Sequence, residues 1–334
     1  MEKYLDRCLS SLIVKGEQMD NLEVLVINDG SKDRSSEIAH AYEIRYPQTF
    51  RVIDKENGNY GSCVNRGLNE AQGKYIKVLD ADDTFDNKAF SAFIDVLMDK
   101  DVDCVISEMK KVNGVGEDVE ICSFDLPDDL SVFDMSKVIP VSDKMWMHCA
   151  CFRTEKLKST GYFQTEGISY TDQEWIGLPM AISSSFVYFP DILYLYLVGR
   201  SGQTVDPVVW EKNFDQEIEG VKVMMEERAT YNDILSKDGL VYFDIRIIQR
   251  IKTIFYNYFL LFSGMTNHDR MAQLDQQVFE YNRDLYGELG KSIVMFKSFH
   301  ILSYWRDRDY KVSLVIILMK KLFRLKNSKV GRYF

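Results

Sequence analysis

The 334-residue sequence is short of several features that would each point to a familiar class. It has no excess of positive charge. A formal net charge of −10 leaves no basic face of the kind duplex nucleic acid requires, so nucleic acid is excluded as the main partner. The six cysteines include no Cys-x-x-Cys pair. Cys149 and Cys151 share one face of an expected strand, but two thiols alone make a poor zinc site, and reduced thiols in a cytoplasmic protein are the expectation. No apolar run reaches the ~20 residues that span a bilayer. The opening Met-Glu-Lys-Tyr-Leu-Asp does not read as a signal peptide, and there is no internal repeat or low-complexity tract. What remains is an ordinary globular composition, 46% hydrophobic, with enough length for a sizeable core and two domains.

One stretch stands out against that background. Lys74-Tyr75-Ile76-Lys77-Val78-Leu79-Asp80-Ala81-Asp82-Asp83 reads as an apolar strand that ends in three carboxylates. The carboxyl edge of an open α/β sheet is where such folds bind ligands. Carboxylates this close repel one another unless a cation sits among them, and oxygen ligands suit Mg²⁺ or Mn²⁺. The plainer alternative is an acidic turn that caps the next helix.

Strand and helix signals alternate around it. Helical spacing of Tyr4, Leu5, Cys8, Leu9 and Leu12 predicts a helix at the start. Strands are predicted at residues 22–27, 50–53, 74–79 and 104–109, with helices between them ending at Tyr46-Pro47, at Gly73 and near Met98. Strand–helix units of this length imply parallel pairing with right-handed crossovers. Residues 113–143 are acidic and punctuated by Gly and Pro, which suits an excursion over the sheet. A strand at 150–154, a helix from about 172 to 182, and two short strands at 186–189 and 192–196 follow. Beyond Pro207 four helices are predicted, at 210–228, 240–262, 270–286 and 312–324.

Three loops follow successive predicted strands: 28–33, 56–62 and 80–83. In a parallel sheet all three converge on one edge. The first offers an isolated carboxylate, Asp29, to accept hydrogen bonds from a base or ribose. The second is a Gly/Asn cradle, and the third a cation site with Asp82 placed to neutralise phosphate oxygens. Its spacing fits neither GxGxxG nor GxxxxGK[ST], so dinucleotide and P-loop readings fail.

Asn28-Asp29-Gly30-Ser31, Glu56-Asn57-Gly58 and Leu79-Asp80-Ala81-Asp82-Asp83, in this order, resemble the nucleotide-sugar half of family 2 glycosyltransferases with the GT-A fold. The resemblance covers residues 1–205. It implies an α/β, doubly wound, mainly parallel sheet with a C-terminal helical extension: a GT-A domain at 1–205, divided into a nucleotide-sugar half (1–112) and an acceptor and catalytic half (113–205), and a helical region at 206–334. It implies inverting transfer of a sugar from a nucleoside-diphosphate donor, with UDP the expected nucleotide, to a saccharide or lipid-linked saccharide in cell-surface polysaccharide synthesis. Asp29, Asn57, Gly58 and Asp80 then match donor-binding positions, and Asp82 matches the ligand for Mg²⁺ or Mn²⁺. Asp172, in Tyr170-Thr171-Asp172, matches the second member of a late acidic pair, the base. Arg200 falls where a loop closes on diphosphate. The sequence departs from the family pattern in two places. The chain starts inside what is usually the first helix, without the strand that normally precedes it, and Val64 stands where many members carry arginine.

The residues argue independently for Asp172. Inverting displacement needs one base within reach of the acceptor hydroxyl, and an Asp opening a helix qualifies, with capping as the plainer role. Glu174 is the reserve candidate; Trp175 is expected in the core; His148 and Trp146 are candidates for the acceptor pocket. After Asp309 no acidic residue follows, while Lys311, Lys320, Lys321, Arg324, Lys326, Lys329 and Arg332 surround an apolar run. That predicts a helix able to lie on the anionic inner face of the plasma membrane. The alternatives are a non-catalytic nucleotide-sugar-binding protein and a haloacid-dehalogenase-like phosphatase built on Asp80-Ala81-Asp82-Asp83-Thr84.

Overall fold

The computed structural model describes residues 1–200, 207–262 and 267–327. Helix α1 (Leu5–Ser10) turns Leu5, Cys8 and Leu9 inward, the spacing read from the sequence. A single turn, α2 (Glu17–Asp20), leads into β1 (Val24–Asp29). Helix α3 (Ser35–Arg45) returns the chain to β2 (Phe50–Lys55), which pairs in parallel with β1 so that Asp29 stands opposite Lys55. Next come α4 (Asn59–Glu70), β3 (Tyr75–Ile76), β4 (Thr84–Phe85) and α5 (Asn87–Asp99). Asp86 caps α5 by accepting from the Ala89 N–H at 2.9 Å.

Strand β5 (Cys104–Val112) is the centre of the molecule. The acidic excursion begins with β6 (Asp118–Cys122), folded back on β5, and passes through α6 (Met135–Val138) to β7 (Ala150–Arg153). After α7 (Thr154–Ser159) and α8 (Asp172–Ile182), β8 (Phe186–Leu197) completes the sheet in the order β3-β7-β5-β8-β4, with β6 added to β5. The α/β fold with a helical extension is as expected, but the strands pair in mixed directions. Only β1–β2 and β5–β8 are parallel among the described residues; β3–β7, β5–β7, β5–β6 and β4–β8 are antiparallel. The reason is local. No crossover helix separates β3 from β4, and β6 returns directly from β5, so these strands enter in reverse direction. Strand β8 replaces the two short strands expected. Its pairing skips from Phe189 opposite Ser107 to Ile192 opposite Glu108, and Pro190 and Asp191 bulge out into solvent.

The C-terminal region comprises α9 (Pro207–Lys212), α10 (Phe214–Thr230) and α11 (Lys237–Tyr256), the last ending in a π-helical turn at Asn257–Leu261. Helix α12 (His268–Tyr281) and α13 (Arg283–Ser292) replace one expected helix, because Asn282 breaks it and caps α13 through the Leu285 N–H at 2.9 Å. A small antiparallel pair, β9 (Val294–Met295) and β10 (Phe299–His300), precedes α14 (Ile301–Arg306) and α15 (Leu314–Asn327). Helices α10 and α11 pack on α8. The approach is close: a Cβ at Gly177 of α8 would lie 3.0 Å from Phe243 and 3.3 Å from Met224. One hydrophobic cluster therefore runs from the sheet into the helical region, with Trp175 fully buried in it against Phe152 and Tyr162.

Candidate active site

The carboxyl end of β1 builds the first part of the site. Asp29 pairs with Lys55, the residue its parallel register places opposite, and its Oδ1 also accepts the Gly58 N–H at 2.9 Å. Asn57 donates to the Asp29 carbonyl at 3.0 Å, and Lys55 Nζ donates to Ser62 Oγ at 2.9 Å. Asp29, Asn57 and Gly58, expected as donor contacts from two separate loops, are thus one hydrogen-bonded cradle. Gly30 adopts φ +70°, the left-handed turn that lets the chain leave β1 sharply. Val64 is buried in the core.

The first turn of α4 links this cradle to the acidic turn. Ser62 faces Lys55, while the Tyr60 hydroxyl donates to Asp80 Oδ1 at 2.9 Å. Gly61 lies between them because nothing larger fits: a Cβ there would meet the Thr165 carbonyl oxygen at 1.9 Å. That contact presses α4 against the segment leading to α8.

The carboxylates of the acidic turn point to different partners. The Asp80 N–H donates to the Tyr194 hydroxyl oxygen at 3.1 Å, and Asp80 Oδ2 lies 3.7 Å from His148 Nε2. Asp83 is fully buried and accepts from the Tyr194 hydroxyl at 2.8 Å and from the Leu197 N–H at 2.7 Å, tying the turn to β8. Burial, then the charge of Asp80, pushes the Asp83 carboxyl up to about 8. Asp82 is also buried, with its side chain ion-paired to Arg200 and its carbonyl accepting from Arg7 at 3.0 Å. The structure therefore gathers Asp80, Asp83 and His148 into a group with ligand atoms within 4.8 Å of one another, and turns Asp82 to a guanidinium. Arg200, expected near diphosphate, sits on the carboxylate expected to hold the metal.

This donor set fits a divalent cation. His148 Nδ1 is buried without a hydrogen-bond partner, and its ring lies against Tyr194 and Tyr196 at centroid distances of 4.6 and 4.9 Å. The field of the turn is strongly negative: after burial itself, Asp83, Asp80 and Asp82 together help push the Cys8 thiol up to about 12.

Asp172 opens α8. Tyr170 before it takes φ +65°, and Thr171 is buried and held by the Gln164 side-chain amide, 3.0 Å to its carbonyl and 2.8 Å to its hydroxyl. Gln173 donates to Asp172 Oδ2 at 2.9 Å. Burial first, and then Asp80, holds the Tyr60 hydroxyl well above its usual range, and Asp172 adds to the same shift. Tyr196 likewise feels Asp83, Asp80, Asp82 and Asp172. Asp172 thus acts on the same two tyrosines, Tyr60 and Tyr196, as the acidic turn does. The reserve candidate Glu174 is buried beneath the helix start, where Oε2 accepts the Thr165 N–H at 2.7 Å and burial pushes the carboxyl up to about 7. Asp128 and Asp129, the later acidic pair a phosphatase would need, are exposed, and Asp129 caps a turn at Ser131.

Lys55, Tyr60, Tyr194 and Gln173 are site residues that sequence reasoning passed over. Only Lys55 carried a readable signal: it ends a strand two residues before the Gly/Asn loop, where parallel pairing would set it beside Asp29. Tyr194 lies in a run of alternating aromatics on β8, whose neighbour on the sheet no sequence pattern names.

Residues 1–157 match the model of glycosyl transferase family 2. Glycosyltransferase GlyG of Streptococcus pneumoniae serotype 4 is 32% identical over 105 residues, which are 31% of this chain and 34% of that protein. The minor teichoic acid biosynthesis protein GgaB of Bacillus subtilis (strain 168) is 36% identical over 92 residues, 26% of this chain and 10% of that protein. The chain thus spans a third or less of these relatives' lengths. Residues 1–349 of S. aureus TarS, solved with UDP-GlcNAc, superpose with a TM-score of 0.63 at 18% identity, covering 100% of this chain and 90% of that one, which shows the shared fold. The family match therefore covers residues 1–157, a little under half of the chain, and the curated relatives that it resembles are glycosyltransferases or cell-wall biosynthesis proteins.

Proposed function

We propose that the protein is a metal-dependent, inverting glycosyltransferase that moves a sugar from a nucleoside-diphosphate donor to a saccharide or lipid-linked saccharide of the cell surface. The observation that carries this reading is the convergence of the Asp29–Lys55–Gly58 cradle, the Asp80–Asp83–His148 group and Asp172 around the first turn of α4. The cradle takes the base and ribose. Asp82 would hold Mg²⁺ or Mn²⁺ with the neighbouring Asp80, Asp83 and His148 completing the donor set, and Arg200, now on Asp82, would serve the diphosphate. Bound there, the ion supplies charge neutralisation for the departing diphosphate. Asp172 takes the proton of the acceptor hydroxyl. TarS, solved with UDP-GlcNAc and with UDP, supports a uridine nucleotide. The description of GgaB supports a cell-wall polymer as the product.

Calorimetry with UDP in the presence and absence of Mn²⁺ tests the donor site. Binding is expected only with the ion, and Asp82→Ala is expected to abolish it; unchanged affinity in that variant sinks the metal assignment. Asp172→Asn is expected to bind donor normally and transfer nothing.

The partner surface we propose is the inner leaflet. No described helix is long and apolar enough to cross a membrane. Helix α15 packs through Ile316 and Phe323, the latter against Phe296, and Lys320 reaches the Tyr258 carbonyl, yet Leu314, Val315, Ile317, Leu318 and Leu322 are exposed. An apolar face with basic flanks suits a bilayer carrying anionic lipid. Sedimentation with vesicles rich in phosphatidylglycerol is expected to carry the wild type down and leave Leu318→Glu in solution; equal binding of both overturns the proposal.

A further inference from the structure

The helical region contributes to the chemistry of the sheet-bearing part through one buried arginine. Arg246 of α11 is 5% exposed, and among the described residues no carboxylate lies within ion-pairing distance of it. Its Nη1 donates to the Ser142 carbonyl at 2.7 Å and its Nη2 to Gln173 Oε1 at 2.7 Å, while Nε has no partner. A buried guanidinium without a counter-charge is costly, so the arrangement calls for an explanation beyond packing.

Gln173 supplies one. An amide side chain can turn either way, and which end faces which neighbour normally has to be inferred from its network. Here both neighbours leave no choice. Arg246 has donors only and takes the oxygen. Ionised Asp172 only accepts and takes the NH₂, at 2.9 Å. The guanidinium thus fixes the amide, and the amide fixes the Asp172 carboxylate. The same loop is held from α10, where Gln216 Oε1 accepts the Ser169 N–H at 2.7 Å.

We propose that Arg246 and Gln173 are positioning residues that hold Asp172 oriented toward the acceptor hydroxyl, so that the helical region completes the base. This rests on Asp172 being the base. The charged and titratable groups facing Asp172 are Glu174 on its own helix, Tyr60 on α4, Tyr170 in its loop, Tyr196 on β8, and Glu217 on α10, which is paired with Arg250 of α11.

Transfer kinetics of Gln173→Leu, Arg246→Met and the double variant Gln173→Met/Arg246→Met, each on the full chain, test it. Gln173→Leu is expected to lower kcat at least tenfold and to leave the KM for donor within twofold, as Asp172 loses the donor that orients it. The double variant replaces both partners with apolar groups of similar length, so its Tm is expected to recover relative to Arg246→Met while kcat stays low. If kcat follows Tm across the three, or the KM for donor changes as much as kcat, Arg246 is a structural staple and the proposal fails. Asp172→Asn separates the two readings. A fully active Asp172→Asn removes the base assignment itself; an inactive one beside unaltered Gln173→Leu kinetics removes only the relay.

Discussion

Strands β1 and β5 look alike in sequence, β-branched and apolar, yet they occupy opposite situations. Cys104, Val105, Ile106, Ser107 and Met109 of β5 are all fully buried, enclosed between β7 and β8 and covered by further layers. Every residue of β1 is half-buried, and among the described residues β1 is paired on one edge only, to β2. Hydrophobic sequence brings a strand into a sheet; the number of neighbours it finds there decides how much surface it loses. The half of the molecule that holds the Asp29–Lys55–Gly58 cradle is consequently the less enclosed one, which suits the nucleotide site proposed there.

The largest test of this contrast is a matched truncation. Ile106→Ala in β5 is expected to cost about 2–5 kcal/mol, the range for deleting a fully buried side chain with little room to collapse. Ile27→Ala in β1 is expected to cost about 1 kcal/mol, since less apolar area is withdrawn from water there. Urea unfolding of both measures the difference, and equal losses would break the comparison. Gly61→Ala probes the contact joining the two halves. Its Cβ would meet the Thr165 carbonyl at 1.9 Å, so α4 or residues 164–166 must shift, at about 1–3 kcal/mol and with loss of UDP affinity. A variant with unchanged stability and affinity would show that the halves are not coupled there.

The smallest effect depends on pH and belongs to the enclosed half. Burial raises the Glu174 carboxyl to about 7 in the folded protein, against an ordinary carboxylate value in the unfolded chain. The unfolded state therefore releases its proton first as pH rises. Glu174 supports the fold fully below the ordinary carboxylate range and loses that support as pH climbs through about 7. Glu174→Gln is expected to leave Tm at pH 5 nearly unchanged and to raise stability at pH 8 by about 1–2 kcal/mol. No gain at pH 8 would mean that Glu174 is solvated in the native state.

Much of the site was legible because its parts are local. Asp29, Asn57 and Gly58 lie at the ends of two strands whose parallel pairing sets them together, and Asp80 to Asp83 end an apolar run, but the two groups meet through Tyr60 of α4 and not through a shared parallel sheet. Asp172 was legible from its position opening a helix. His148 was read as an acceptor-pocket candidate, and its place beside Asp80 and Asp83 depends on a tight turn before β7 that no periodicity marks. The pairing of Arg200 with Asp82 joins residues 118 positions apart.

By itself the sequence determined the order of strands and helices, the acidic and Gly/Asn loops, and the basic, acid-free end, because each depends on side-chain period, turn chemistry or charge within a short window. Only the tertiary structure decided that the sheet is mixed, that β5 rather than β1 is its centre, that Asp82 faces a guanidinium, and that an arginine from the helical region stands behind Asp172. These are relations between distant segments, fixed by which surfaces meet when the core closes, and no local pattern records that.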